Sequence, residues 1–308
     1  MLFKNGFLFI GREHAKVCNL FPIPFSSQTI LIYYPRLKRK GVILLFFRIS
    51  KHYQHKLLSE NQLTANYIPE TKIYSVENFK EFLERYEFVY IKHERGGQGK
   101  GIFKAYKEDN GNYRINGFTL KGEPLNISIT LIDDFSLENY STGFGLNGAF
   151  IIQEGINSIT LNGDPLIIRT HIQKLKGSWI VSGMFANIST DETFESGIVN
   201  INQGAHALGI SELLSKHLGM NAKEKNAFIR TIKKISIMAA ELVYLEFPCL
   251  EYGIDFGIKS NEVPVIFEVN TFPGIRNFAT IGDKETLKKI YRIRKLQKEE
   301  ENNKIRRP

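Results

Sequence analysis

Apolar positions follow two rhythms along this chain. Phe228, Ile232, Ile235, Met238, Ala239 and Leu242 recur at three- and four-residue steps, which predicts a long helix over residues 223–246. Phe79, Phe82 and Leu83 behind Ser75 predict an amphipathic helix over Glu77–Arg85 with Ser75 as N-cap. Another helix is expected over residues 51–66. Ile68-Pro69-Glu70-Thr71 closes it, because a residue before proline avoids helical angles. The charged tail from Lys284 onward reads as a helix as well. Elsewhere the runs are short and strand-like: Gln28–Tyr34, Val42–Arg48, Phe88–Lys92, Ile102–Tyr106, Phe150–Gln153, and the pair Leu166–Gln173 and Trp179–Ala186 around Lys176-Gly177-Ser178. Tyr252–Ile258 and Val263–Val269 form a last pair around Ser260-Asn261. Asp109-Asn110-Gly111 is a hairpin turn, and residues 112–150 hold further short strands and a helix near Phe135–Tyr140. Strands and helices mix without a βαβα rhythm, so the fold class is α+β, in lobes, with no doubly wound sheet.

At 308 residues, 43% hydrophobic and 24% charged, the chain can bury a full core, which excludes disordered, collagenous and disulfide-scaffold classes. The longest strongly apolar run, Val42–Phe47, is far short of a bilayer span, so no membrane partner is expected. No small-residue signal cleavage site is recognisable, and Cys18 and Cys249 form no CxxC; both points favour a cytoplasmic protein with reduced thiols. Charge is uneven. Residues 1–56 carry ten basic side chains against one acidic and residues 284–308 ten against four, whereas the stretch between is net acidic. Solvated basic ends explain this better than a nucleic-acid surface, which needs its charge on the body that binds.

Candidate chemistry concentrates in Phe267-Glu268-Val269-Asn270-Thr271-Phe272-Pro273-Gly274. Glu268 and Asn270, two apart on a strand, share one face at about 6–7 Å. A four-residue loop, Ser260–Val263, would pair Lys259 with Pro264 and set Asp255 opposite Glu268, with Cβ atoms about 4.5–5.5 Å apart. Two carboxylates and an amide are hard oxygen donors of the kind Mg²⁺ takes while sharing its remaining positions with phosphate and water. A solvated polar hairpin face is the bland alternative; it is disfavoured by the apolar Val265–Val269 strand, whose polar residues need partners.

Gly96-Gly97-Gln98-Gly99-Lys100-Gly101 lies between two strands, and backbone N–H groups of such a loop can close on phosphate oxygens. It is not a Walker A loop, since Lys100 is followed by Gly101, nor a Rossmann fingerprint, since a strand follows it. Taken alone the loop reads better as a plain glycine-rich hairpin; Lys92, ending the preceding strand, would be a point charge for phosphates beside a phosphate loop and is otherwise an ordinary exposed strand-end lysine. Asp255-Phe256-Gly257 spells a kinase motif, but no His-Arg-Asp loop precedes it. The histidines show no paired spacing, so zinc is not expected.

The order of these pieces resembles the ATP-grasp superfamily and, more narrowly, the YheC/YheD family of endospore-coat-associated proteins. The resemblance covers roughly residues 50–280 and rests on Ile68–Thr71, Tyr90–Lys92, the glycine loop, Ile152–Ile156, Ile168–Gln173, Trp179–Gly183, Ile198–Asn200, Tyr252–Gly257 and Phe267–Gly274. It implies an abbreviated N-terminal segment (1–50), an ATP-grasp lobe with the lid (51–150), a second lobe with the metal site (151–282) and a charged helical tail (283–308). ATP and Mg²⁺ are the implied cofactors. Lys56 and Lys92 would touch the phosphates, and Gly97, Gln98 and Gly99 would cover them. Gln153, Glu154 and Ile156 would line the hinge and bind adenine, largely through backbone groups. Arg169 would face the γ-phosphate or the acceptor, and Asp255, Glu268 and Asn270 would hold magnesium. Three positions depart from the pattern: His93 stands where proline is usual, Ile167 where an aspartate is, and Asn187 where a second arginine is.

The implied function is ATP-dependent ligation of a small-molecule or peptide carboxylate to an amine or thiol through an acylphosphate, with Lys92 and Arg169 catalytic. Ile167 and Asn187 keep a second reading open, a catalytically degenerate nucleotide-binding structural protein among spore coat proteins. A nucleic-acid binder using its basic ends is a third.

Overall fold

The computed structural model describes residues 49–306 apart from Arg95, 142–148, 190–194, Asn261 and Phe272, together with four short strands ahead of them. Those strands form two hairpins, β1 (Leu2–Lys4) with β2 (Phe7–Phe9) and β3 (Lys38–Arg39) with β4 (Val42–Ile43). The expected strand Gln28–Tyr34 lies outside the described residues, as does the remainder of Val42–Arg48.

Two antiparallel sheets make up the body, as the α+β reading requires. The first is six-stranded, in the order β5 (Thr71–Ile73), β10 (Phe150–Glu154), β6 (Phe88–His93), β7 (Ile102–Lys107), β8 (Tyr113–Phe118), β9 (Pro124–Ile129). Helix α2 (Val76–Arg85) covers it with Phe79 and Phe82, and Phe135, next to the one-turn α3 (Glu138–Ser141), completes that core. Ser75 caps α2 as expected, its hydroxyl accepting from the Asn78 N–H.

The second sheet runs β13 (His206–Gly209), β12 (Ser178–Ile188), β11 (Leu166–Leu175), β14 (Glu251–Ile258), β15 (Pro264–Thr271). One face packs on α5 (Ala222–Glu246), through Phe228, Ile232, Ile235 and Ala239, after a capping box at Asn221 and Glu224 and the one-turn α4 (Ile210–Glu212). The other face is covered at one end by α6 (Arg276–Thr280) and α7 (Lys284–Arg306), where Phe278 and Ile290 meet Phe185. No described helix is long and apolar enough to cross a membrane.

Two differences from the sequence reading have local causes. The helix expected over 51–66 is α1 (Lys51–Ser59) and stops there. Beyond it, the Asn61 side chain accepts from the Leu63 N–H and the Thr64 hydroxyl donates to the Leu58 carbonyl, so short polar side chains take over from the helical ladder. In the last hairpin Asp255 does face Glu268, but by another route. Pro264 pairs with Ile258, not Lys259, and a β-bulge between Asp255 and Phe256 inserts Phe267 on β15. The longer turn and the bulge offset each other by one residue, and the acidic pair is restored.

Candidate nucleotide and metal site

The polar face of the second sheet looks across a cleft at β6 and β10 of the first, with α1 wedged between. On β11 and β14, Arg169 and Asp255 are direct partners, as are Asp255 and Glu268 across β14 and β15. Arg169 holds Asp255 bidentately, Nε on Oδ1 and Nη2 on Oδ2 at 2.6 Å, and the Asn270 amide donates to the same Oδ2 at 3.1 Å. Burial lifts the Asp255 carboxyl, against the pull of Arg169 and Asn270 and with the Glu268 charge adding to the lift. Burial also works against the Arg169 charge, but Asp255 and Glu268 hold that guanidinium above its ordinary value. The Arg169 stem lies on Gly253, where a Cβ would come within 3.1 Å of Nη1 and 2.6 Å of Pro273.

Asp255, Glu268 and Asn270 are thus brought together. Among the described residues no group of three or more His, Cys, Asp or Glu side chains forms a closed metal cage. Two carboxylates and one amide oxygen on a shared face fit a hard divalent cation that completes its shell with phosphate and water. Asp255 Oδ2 already accepts two hydrogen bonds, but Oδ1 takes only Arg169 Nε and keeps a second lone pair, so the contacts to Asp255 leave one position for ligation.

Lys92 reaches into the cleft from β6. Its Nζ donates to Gln153 Oε1 and lies 5.4 Å from the Phe267 ring centroid. Burial pulls its ammonium down to about 8, against Glu268 and Asp255. Gln153 is fully buried, and its Nε2 donates to Thr71 Oγ1 at 3.0 Å. Glu154 sits at the crossing between the sheets. Its backbone N–H goes to the Glu70 carbonyl, and its carboxylate takes the Glu70 N–H and Lys259. Ile156 is buried just beyond.

Lys56 is not at the site. Its side chain is 60% exposed and sits 3.8 Å from Glu60, one helical turn on. The lysine at the start of α1, Lys51, is there instead. Only 6% exposed, its Nζ donates to the Gly96 carbonyl at 2.8 Å and meets Glu268 at 3.2 Å. Ser50, the N-cap, fixes this helix start, with its own hydroxyl on Glu94. A lysine directly behind an N-cap serine was the available signal, because it ties the side chain to a fixed helix end.

His55, one turn after Lys51, is a second residue the motif reading missed. Its Nε2 lies 2.9 Å from the Phe267 carbonyl and its Nδ1 3.3 Å from Thr71 Oγ1. Burial, then the Lys92 ammonium, lowers it to about 4, so it is neutral at ordinary pH.

The glycine loop touches α1 through the Gly96 carbonyl and the segment following β12 through the Gly99 carbonyl. Gln98 and Gly99 have positive φ, and the Gly99 carbonyl is 3.4 Å from Gln203 Nε2 on the segment following β12. That segment crosses to the first sheet, where Tyr90 donates to the Ser196 carbonyl and Lys104 reaches the Glu195 carbonyl. Asn187 is buried, and its Oδ1 lies 3.4 Å from the Asn277 amide nitrogen of α6. Ile167 is its direct strand partner. His93 is buried with its ring edge-on to Phe150 at 4.9 Å.

Residues 46–295 match the family described as YheC/D like ATP-grasp. The endospore coat-associated protein YheD of Bacillus subtilis (strain 168) is 27% identical over 227 residues, covering 71% of this chain and 47% of that protein. The chain therefore spans about half the length of this curated relative. Among solved structures, the D-alanine-D-alanine ligase from Coxiella burnetii aligns with 83% of this chain and 59% of its own, at 12% identity and a TM-score of 0.46. That from Bacillus anthracis aligns with 82% of this chain and 68% of its own, at 16% identity and a TM-score of 0.46.

Proposed function

The chain belongs to the YheC/D-like ATP-grasp family, and from that premise we propose that it binds ATP with Mg²⁺ between its two sheets and uses it to join a carboxylate to an amine or thiol. The observation that carries this reading is the convergence of Asp255, Glu268 and Asn270 on one face, opposite Lys92 and beneath a glycine flap whose base is held by Lys51. Asp255, Glu268 and Asn270 would hold magnesium, which would supply charge neutralisation for the triphosphate. Lys51 and Lys92 bind phosphate oxygens from the other side, with Lys51 in the role first expected of Lys56. The N–H groups of Gly97, Gln98 and Gly99 cover the phosphates and exclude water. Arg169 offsets the charge that develops as the acceptor carboxylate attacks the γ-phosphorus. The reaction needs no enzyme nucleophile: the acceptor carboxylate takes the γ-phosphoryl group as the bond to ADP breaks, and an amine or thiol then attacks the acyl carbon, losing its proton to solvent and displacing phosphate.

Calorimetric titration with ATP, with and without Mg²⁺, tests this reading. The expected result is saturable binding that tightens with Mg²⁺ and weakens as pH rises through about 8, where Lys92 loses its proton. The same lowered value gives the opposite sign for folding. Between about pH 8 and 10 the unfolded chain binds more protons than the folded one, so this group's contribution to stability rises with pH. Lys92→Arg should flatten the binding profile. Absence of any ATP binding at pH 7 would refute the proposal. Gly99→Ala gives an independent check. A Cβ there would sit 2.4 Å from Gln203 Oε1, at a φ of +74° that alanine adopts at a penalty of about 1–2 kcal/mol, so affinity should fall about tenfold.

Ile167 beside the buried, amide-bonded Asn187 favours a second reading: nucleotide binding without turnover, in a structural protein of the spore coat. Release of ADP in the presence of assorted carboxylates and amines separates the two, since the structural reading requires tight binding with none.

A further inference from the structure

The bulge that sets Glu268 opposite Asp255 interrupts the ladder around Phe267, and peptide groups beside a bulge need other partners. Two neighbouring side chains of α1 supply them. His55 Nε2 bonds the Phe267 carbonyl at 2.9 Å, and Gln54 Oε1 accepts from the Val269 N–H at 2.6 Å. These belong to the two peptide units that flank Glu268. Lys51, on the same face of the helix, takes the Glu268 carboxylate itself. The buried residues of α1 are Lys51, Gln54, His55 and Leu58, so the face that should be apolar for packing is mostly polar. A carbonyl can only accept, so His55 carries its proton on Nε2, and Nδ1 faces Thr71 Oγ1 and the Gln153 amide, each at 3.3 Å.

We propose that Gln54 and His55 are positioning residues that clamp the backbone on both sides of Glu268, and that His55 at the same time ties this metal-binding strand to Gln153 on the opposite sheet. The clamp fixes where the Glu268 carboxylate points before any ligand arrives. The inference rests on the Mg²⁺–ATP reading only for what the clamp is for; the clamp itself is read from the free protein.

Two variants split the roles of the imidazole. His55→Gln keeps a donor near the Nε2 position, and His55→Asn keeps a polar group near Nδ1 only. In the ligand-free full chain, amide hydrogen exchange over Glu268–Asn270 should be about tenfold faster in His55→Asn and within about twofold of wild type in His55→Gln. In calorimetric titrations, the tightening of ATP binding by Mg²⁺ should drop about tenfold or more in His55→Asn, with metal-free ATP affinity kept, and should survive in His55→Gln. Gln54→Met removes the second contact at similar volume and should also speed exchange at Val269, which keeps the clamp testable if His55→Asn does not fold. Equal exchange in His55→Asn, His55→Gln and wild type overturns the proposal, as does a uniform loss of stability in both His55 variants with the Mg²⁺ effect intact. If wild type binds no ATP, the functional reading fails, and the exchange measurements still decide the clamp.

Discussion

Glu268→Gln is expected to lower Mg²⁺-dependent turnover by about 10²–10³-fold and to abolish the Mg²⁺-linked gain in ATP affinity, with the fold retained. The substitution keeps shape and removes one negative charge. Glu268 lies 3.2 Å from Lys51 and faces Asp255 across the strand pair. Losing its charge weakens the hold on Lys51, which keeps the Gly96 carbonyl, and relieves repulsion on the buried Asp255 carboxyl. The two effects oppose each other, so the melting transition should stay cooperative and move little. The effect on the cation is not offset, because an amide is a far poorer ligand for a hard divalent ion than a carboxylate. Calorimetry with and without Mg²⁺, ADP release and a thermal melt on one preparation read all three. A variant that binds and turns over Mg²⁺–ATP like wild type would remove Glu268 from the metal site.

Arg169→Leu should destabilise the protein by about 3–5 kcal/mol at pH 7, the effect expected when one partner of a buried, hydrogen-bonded ion pair is removed. Asp255 would keep only the Asn270 amide, with Glu268 still repelling it. Its folded-state pKa would then stand well above that of the unfolded chain. The folded state would hold more protons, so the deficit should shrink as pH falls through that raised value and grow as pH rises. Arg169→Leu combined with Asp255→Asn should recover most of the loss, because the orphaned charge is gone. Urea midpoints of the single and double variants between pH 5 and 8 check both points. An Arg169→Leu protein as stable as wild type at pH 7 would show that the pair contributes nothing to folding.

The approach of Asp255, Glu268 and Asn270 to one another was legible in the sequence because it follows from short local patterns. Glu268 and Asn270, two apart on a strand, must share a face, and a hairpin of about the right length must bring Asp255 near them. A four-glycine loop between strands states its own flexibility. Lys56 shows where this reasoning stops. Lys51 and Lys56 are both lysines of one short helix, and five residues of rotation point one into the cleft and the other into solvent. Which of the two is buried depends on the direction α1 presents to β15; Ser50 ahead of Lys51 marks a fixed helix end but does not record that direction. His55 and Gln54 were hidden for the same reason: a polar stripe on a short helix reads as a solvated face until a bulged strand is packed against it.

The sequence by itself determined the α+β character, the long amphipathic helix, the pairing of the last two strands and the grouping of Asp255 with Glu268 and Asn270, all of which follow from periodicity and spacing within a few residues. The tertiary structure alone decided the bulge at Phe267, the burial of Lys51 and exposure of Lys56, the bidentate hold of Arg169 on Asp255 and the reach of Gln203 to the Gly99 carbonyl. Each of these joins residues from separate elements, and its free energy exists only once the elements have docked and water has been excluded between them.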